Sequence, residues 1–433
     1  MYSISMNHLR FSRALSFLMR HNLNINADIR SVVSSLLYDM ECALQGHPDA
    51  AQNMVPVFML PPERAVTNRR IIVLDAGGTN FRSCLVTFDA EGSAEISMLQ
   101  RCAMPALDRE LSRKEFFDTI ASNISRLKDM ADTIAFCFSY GMRITPEHDG
   151  VALAFSKEIK APEVTGCAVG AELRKSLAAQ GWKRTDKIVL LNDTQAALLA
   201  GAAGTNAGRY SSYVGFILGT GINTAFIQPE RADIAWKSQI VVTEAGKFNK
   251  IQRSDFDIAL ESRSDRPELY VFEKMCSGGY LGSLMLEVLR CASKEGLFSE
   301  QTAAALHSLE HLPLMQTDSF MHAPQESELG SLCATQEDAA ALFELLDAVL
   351  DRAARYATAM ISAAVLSTGQ GRHPSRPVCV LCNGTTFYKT YRMRERIFSY
   401  LHRFLTEEHG IHFELVQKEG DITLGAAIAG ASV

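Results

Sequence analysis

The sequence predicts an α/β fold of two related halves with a ligand held between them, and three stretches carry that prediction. Residues 71–82 read Ile-Ile-Val-Leu-Asp-Ala-Gly-Gly-Thr-Asn-Phe-Arg: a short apolar strand, an acidic residue at its end, a glycine turn, then a strand pattern that resumes through Cys84–Phe88. Two strands joined by a glycine turn make a hairpin. Residues 213–226 repeat the device, with an apolar strand running into Gly219-Thr220-Gly221 and a second strand leaving it. Between the two copies, an apolar strand over 187–191 ends at Asn192-Asp193, and Thr194 opens an Ala/Leu-rich helix as a plausible N-cap.

Glycine lets a backbone approach a ligand closely and take positive φ. The N–H groups of such a turn, with the Thr79 hydroxyl, can cradle phosphate oxygens, and Asp75 can orient a hydrated Mg²⁺ nearby. A single Asp-x-Gly-Gly-Thr is equally an ordinary tight hairpin. The second copy breaks that tie and points to a nucleotide held between the halves. Asp193 also has two readings. It either caps its helix, or it faces the crevice at the carboxyl end of a strand, where α/β sheets bind ligands. Beside two phosphate turns, the second reading makes it a base that accepts the proton of an attacking hydroxyl.

The remaining elements follow in order. Segment 9–45 places apolar residues at helical spacing and predicts one or two amphipathic helices that pack on the larger half. After the β-rich 70–90 come helix 112–130, strands 133–138 and 150–155, and helix 168–180. Beyond Asp193 the pattern gives helix 194–203, the hairpin 212–228 and strand 238–243. Helices dominate 255–365, broken around 311–330 by a loop containing Pro, His and Gln. Strand 376–382, helix 386–408, strand 411–416 and a final helix 423–431 close the chain.

At 433 residues the chain is too long for one core, and its 47% hydrophobic content is too high for disorder. A formal charge of −6 and the lack of a basic cluster argue against nucleic acid. No run of eighteen apolar residues predicts a transmembrane helix, and the N-terminus lacks the compact apolar core of a signal peptide. Ten scattered cysteines, many in apolar contexts, read as reduced thiols in a cytoplasmic protein. Cys379 and Cys382 have C-x-x-C spacing, but residues three apart on a strand face opposite sides and do not share a metal.

Seven segments together, in this order, resemble the hexokinase family over nearly the whole chain. Leu74–Arg82 resembles its first phosphate motif, Ala135–Tyr140 followed by Ser156-Lys157 its sugar segment, and Leu191–Thr194 its catalytic strand end. Gly219–Asn223 resembles the second phosphate motif, Thr243–Phe248 and Phe272–Gly282 the glutamate-bearing sugar segments, and Cys382–Thr386 the adenosine motif. The chain departs from the pattern at Gly141, where the family has Pro, which implies a looser sugar loop. It departs again at Ser156 in place of Thr, over 158–162, and over 419–427, which lacks a glycine-serine-glycine run.

The resemblance implies two actin-like (ribonuclease H-like) domains, small and large, around a deep central cleft. The small one takes residues 65–192 with 424–433 returning to it; the large one takes 1–64 and 193–423. It implies a hexokinase that passes the ATP γ-phosphoryl group to the 6-hydroxyl of a hexose such as glucose, the entry to glycolysis. Asp193 is the implied base. The implied sugar ligands are Ser139, Ser156, Lys157, Asn192, Asn223, Glu244 and Glu273. The implied nucleotide ligands are Asp75, Gly77, Gly78, Thr79, Asn80, Arg82, Gly219, Thr220, Gly221, Gly384 and Thr385, with Mg²⁺ held near Asp75 through water. With sugar ligands on both halves, binding closes the cleft. The chain is expected to act as a monomer or homodimer. Two rival readings are a kinase of mannose, fructose or an amino sugar, and a silent sugar sensor on the same fold. Intact Asp75, Asp193 and both glycine turns argue against the sensor.

Overall fold

The computed structural model describes residues 12–155, 159–203, 208–234 and 236–433. Two helices come first, α1 (Arg13–Arg20) and α2 (Ile29–Leu44), each started by a side-chain cap, Ser12 and Asp28. Their apolar stripes, including Phe17, Leu18, Leu36 and Met40, sink into one core with the long helix described below, as amphipathic spacing requires. A short strand, β1 (Val55–Pro56), follows.

The first glycine device is a hairpin of β2 (Arg69–Gly77) and β3 (Asn80–Phe88), with Gly77 opposite Asn80 and Asp75 opposite Arg82. Gly78 takes φ +57°, which a two-residue turn demands and glycine supplies without strain. Then come β4 (Ala94–Ala103), α3 (Arg113–Asn123) behind a Ser112/Glu115 capping box, β5 (Thr133–Phe138), β6 (Gly141–Ile144) and β7 (Gly150–Ala154). Helix α4 (Val169–Ala179) and strand β8 (Lys187–Leu191) complete this unit. The sheet runs β4-β3-β2-β5-β8.

Past α5 (Asp193–Gly201), the second device folds as β9 (Ser212–Leu218) and β10 (Ile222–Gln228), followed by β11 (Gln239–Val242). A helical region follows: α6 (Asp255–Ser262), α7 (Val271–Cys276), α8 (Gly278–Lys294), α9 (Glu300–His307), α10 (Leu314–His322), α11 (Glu328–Ser331) and the long α12 (Gln336–Ser367). The chain ends with β12 (Val378–Asn383), α13 (Thr385–Lys389), α14 (Met393–Leu401), β13 (Phe413–Val416) and α15 (Asp421–Ala431). This sheet runs β1-β11-β10-β9-β12-β13.

Without the edge strand β1, the two sheets have one topology. In each, an antiparallel hairpin (β2–β3, β9–β10) gains an antiparallel strand on its outer side (β4, β11). Two parallel strands join its inner side: β5 and β8, or β12 and β13. The internal echo of the glycine turns is thus an echo of whole sheets.

Helix α5 sits where the two sheets meet. A Cβ on Gly215 of β9 would lie 2.3 Å from the Thr194 carbonyl, and one on Gly425 of α15 would lie 1.8 Å from the Ala196 carbonyl. Backbone therefore meets backbone on both sides of α5, which explains glycine at 425 in the apolar C-terminal helix. Ala426, Ala427, Ile428 and Ala429 of α15 pack into the core beneath the first sheet.

Several boundaries differ from the sequence reading. The region 311–330 is helical rather than a loop: Pro313 precedes the first turn of α10, where a missing N–H costs nothing, and Phe320 and Met321 bury its apolar face. Helix 386–408 is three pieces, interrupted at Arg392, which takes φ +51°, and ending in a π-helical turn over His402–Glu408. Helix 112–130 stops at Asn123 and gives way to a 3₁₀ turn. Thr194 is not the N-cap of α5. Asn192 is, its Oδ1 accepting from the Gln195 amide at 2.8 Å. Gly141 opens a paired strand opposite Ala154 rather than a free loop. Cys379 and Cys382 face different cores, as strand alternation requires. All ten cysteines are free. No helix among the described residues is long and apolar enough to cross a membrane.

Candidate active site

The β8–α5 junction presents Asp193 as the first residue of its helix. The cap role falls to its neighbour Asn192, so the Asp193 carboxylate is left for other use. Its recorded local partner is the Thr194 hydroxyl, which donates at 3.1 Å. Burial pushes the Asp193 carboxyl up to about 6; Asp75 and Glu244 add repulsion, and the Thr194 hydroxyl and amide oppose the rise. A carboxylate so tuned accepts a proton near neutral pH far better than an ordinary Asp.

On the first sheet, Asp75 pairs with Arg82 across the hairpin at 3.5 Å. Burial raises the Asp75 carboxyl, Arg82 holds it down, and Asp421 pushes it up again. Ser139 lies against Gly77: a Cβ there would sit 3.3 Å from Ser139 Cβ. The Tyr140 hydroxyl donates to the Gly78 carbonyl at 2.7 Å and ties the sugar segment to the first turn. Gly78, Thr79 and Asn80 are exposed at the turn. Ser156 and Lys157 lie outside the described residues.

On the second sheet Gly221 serves contact rather than torsion. Within Gly219-Thr220-Gly221, a Cβ on Gly221 would lie 2.6 Å from Glu273 Oε2, and one on Gly219 would lie 3.6 Å from Gly384 Cα. The turn is buttressed by Gly278 N and Gly279 N, which donate to the Gly219 and Thr220 carbonyls at 2.8 and 3.0 Å. The Thr386 hydroxyl also donates to the Gly219 carbonyl, at 2.9 Å, while Thr385 is exposed beside it. Thr386 therefore holds the turn, a role the sequence reading did not assign.

Gly384 takes φ +116°, and a Cβ there would meet the Leu218 carbonyl at 2.1 Å. Gly384→Ala is expected to lower stability by about 2 kcal/mol or more, from left-handed strain and overpacking combined, and to weaken nucleotide binding with it. Urea denaturation and nucleotide calorimetry check this, and an unchanged midpoint would sink it.

The sugar-type glutamates are each held by hydrogen bonds, one from a side chain and one from the backbone. Glu244 takes φ +55°, and its Oε1 accepts from Asn223 Nδ2 at 3.0 Å. Glu273 Oε2 accepts from the Ile222 amide at 3.1 Å. Burial pushes the Glu273 carboxyl up to about 7, with the Ile222 amide and Lys274 opposing and Glu244 and Asp193 adding to the rise. Its helix starts at Val271, directly after Tyr270 at φ +58°. Beneath that helix the buried Lys274 ammonium bonds both Glu261 oxygens, at 2.9 and 2.8 Å, and the Arg266 carbonyl at 2.7 Å. Arg352 grips Asp257 through two bonds of 2.7 and 2.8 Å. Removing one partner of such a pair leaves a buried charge, so the pairs fix α6 and α7 in place.

An open groove separates Ser139, Gly141 and Ala154 from Thr220, Glu273 and Tyr280, while Tyr140, Asn192, Gln195 and Glu244 line a smaller hollow at its base. Asp75, Asp193, Glu244 and Glu273 thus share one electric field. Asp421 joins it. Its carboxylate accepts from Asn383 Nδ2 at 2.8 and 2.7 Å, and burial raises it. The sequence reading missed Asp421; the signal was Gly420-Asp421 opening an apolar helix.

Two family models described as Hexokinase match this chain, one over residues 213–432 and one over residues 18–203. The chain belongs to the hexokinase family. It is 24% identical over 408 residues to Hexokinase-1 of Schizosaccharomyces pombe, covering 87% of this chain and 82% of that protein. It is 26% identical to Hexokinase-5 of Oryza sativa subsp. japonica, covering 80% and 74%. Against human Hexokinase-2 it is 24% identical over 89% of its length but spans 44% of that relative. The solved hexokinase from Schistosoma mansoni, complexed with glucose, superposes with a TM-score of 0.79 at 21% identity, over 98% of this chain and 100% of the other. A second hexokinase crystal structure gives 0.77 at 22% identity, over 97% and 98%. The fold is thus the two-domain actin-like fold of that family, and the chain is a hexose kinase.

Proposed function

We propose that the enzyme moves the γ-phosphoryl group of ATP to the 6-hydroxyl of a hexose, with Asp193 as the base. One observation carries the reading: a half-buried carboxylate, raised to about 6, opens the helix where the two sheets meet, within the fields of Asp75 on one sheet and Glu244 on the other. Glu244, Glu273 and Asn192 would offer acceptors and donors to sugar hydroxyls, with Asn223 bonded to Glu244 and Ser139 in the same groove as Glu273. A site built of such groups rejects a ligand that leaves them unpaired. The Asn192 Oδ1 already serves its helix, so its amide nitrogen is the part that serves a sugar.

The donor set fits a nucleotide with a hard cation. Burial and the charge of Asp421 raise the Asp75 carboxyl, a penalty that a divalent ion would relieve. Asp75 would hold Mg²⁺ through water. The turn at Gly77, Gly78, Thr79 and Asn80 and the turn at Gly219, Thr220 and Gly221 would hold phosphates. Gly384 and Thr385 would meet the nucleoside. ATP with its ion supplies the transferable group and a partly neutralised phosphate chain. Arg82, beside Asp75, would stabilise charge that develops in transfer.

We assign residues 65–192 with 424–433 to the small domain and 1–64 with 193–423 to the large one, a division supported by which sheet each strand joins. A cytoplasmic location goes with the ten free thiols. A coupled kinase assay across a hexose panel with several phosphoryl donors tests the reaction; turnover with no hexose and any donor would overturn it. Because sugar ligands come from both sides, hexose alone is expected to compact the protein in small-angle scattering. An unchanged radius of gyration at saturating sugar would overturn the clamp, whatever the assay reports.

A further inference from the structure

Helix α8 links the second phosphate turn to a separate polar knot. Its N-terminal Gly279 donates to Thr220, and Cys291 lies twelve residues further on, about 18 Å away at 1.5 Å per residue. At that far end, His21 closes α1 against the last turn of α8. Its Nε2 lies 2.6 Å from Glu295 Oε1 and 3.7 Å from Cys291 Sγ, and Cys291 Sγ lies 3.8 Å from Glu295 Oε1. Among the described residues, these three are the group of His, Cys, Asp and Glu whose ligand atoms all lie within 4.8 Å of one another. None of them has a part in the proposed reaction.

We propose that His21, Cys291 and Glu295 form a binding site for a zinc-class divalent cation. The ligand types are nitrogen, sulfur and carboxylate oxygen, the mixture that borderline-soft ions select over Mg²⁺ or Ca²⁺. Zn–S near 2.3 Å and Zn–N near 2.0–2.1 Å set a tetrahedral S–N edge of about 3.6 Å, close to the 3.7 Å here. The N–O edge must open from 2.6 Å to about 3.3 Å, which a small swing of the partly exposed Glu295 side chain supplies. The Glu295 side chain itself is exposed to solvent.

A second layer already stands around these atoms. Asp255 Oδ2 sits 2.9 Å from His21 Nδ1, the carboxylate that fixes the tautomer and turns the Nε2 lone pair to a metal. The Asp255 amide donates to the His21 carbonyl at 3.1 Å, so the main chain holds the same register. Asn22 holds the other Asp255 oxygen, and Arg20 holds Glu295 Oε2, which leaves Oε1 for the cluster. Phe17 and Phe256 pack on the imidazole at 4.8 and 5.1 Å between ring centroids. A cation here would lock α1 and α6 onto the helix that buttresses the second phosphate turn.

The test uses the full chain, freed of metal with a chelator and titrated with Co²⁺. One equivalent is expected to give a near-ultraviolet thiolate-to-cobalt absorption band, which Zn²⁺ abolishes by competition and Mg²⁺ leaves untouched. Cys291→Ser should lose the band, and His21→Gln should weaken Zn²⁺ binding at least tenfold. Glu295→Gln guards against misfolding, because it keeps the His21–Asp255 bond and the aromatic packing. It should bind Zn²⁺ at least tenfold more weakly, with normal circular dichroism and normal turnover of the metal-free enzyme. Absence of the band in the parent chain, an intact band in Cys291→Ser, or unchanged Zn²⁺ affinity in a folded Glu295→Gln would each overturn the site and leave a plain hydrogen-bonded knot between helices.

Discussion

Asp193→Asn is expected to lose at least a hundredfold in kcat, to bind sugar nearly as well as the parent, and to be harder to unfold at pH 8. A positioned general base is worth about 10²–10⁴ in rate, and its removal touches the chemical step rather than ground-state binding. The stability gain has its own logic. The folded state raises this carboxyl from 3.8 to about 6, chiefly by burial, so the native chain holds the proton more tightly than the unfolded one. Any benefit is present at pH below 3.8. It is lost as pH rises through 6, above which the buried charge is a full penalty. At 1.36 kcal/mol per pH unit, that rise amounts to about 3 kcal/mol at pH 8. Asn keeps the shape without the charge. Its melting temperature should exceed the parent's at pH 8 and match it at pH 4. In the parent, kcat should fall as pH drops through about 6. Near-normal turnover of the variant would leave the mechanism without a base.

The chemistry-bearing strand ends were legible because each sits where a short apolar run meets a glycine or acid. Asp75, Gly219 and Asp193 all fall on such punctuation, and strands 133–138 and 187–191 appear with the boundaries their apolar runs predict. The reasons behind the residues were less legible. The second turn's glycines read as ligand-approach and torsional devices, but Gly221 makes room for Glu273, a contact across more than fifty residues of chain. The sequence offered Thr194 or Asp193 as the cap of α5, and the path of the chain gives the cap to Asn192 instead. Asp421 belongs to the acidic field because α15 returns beneath the first sheet, and no local pattern announces that return. The equal topology of the sheets was visible as two hairpins and nothing more, since the parallel strands that complete each sheet join it through long crossovers.

Glu273→Gln and Glu244→Gln should each raise the KM for sugar while ATP affinity barely moves. A hydrogen bond to a charged acceptor is worth roughly 1.5–3 kcal/mol, or about ten- to a hundredfold in KM. Glu273 adds a response to acid. Burial pushes Glu273 up to about 7, with Glu244 and Asp193 adding repulsion, so its charged form is lost as pH falls through neutrality. The parent's sugar KM should therefore rise between pH 8 and pH 6, a range in which kcat is only beginning to fall with Asp193. In Glu273→Gln that slope should vanish and KM should stay high throughout. In Glu244→Gln the slope should persist, because Glu273 still titrates, though the like charge that helps raise it is gone. The Gln side chain can still accept from Asn223 Nδ2, so the loss at this position reports the charge and not the scaffold. Steady-state kinetics at fixed saturating ATP, with nucleotide affinity measured separately by calorimetry, read both quantities. Equal losses of sugar and ATP affinity would mean that the glutamates hold the fold of the cleft and do not touch the sugar. An unchanged sugar KM in both variants would place the hexose elsewhere in the groove.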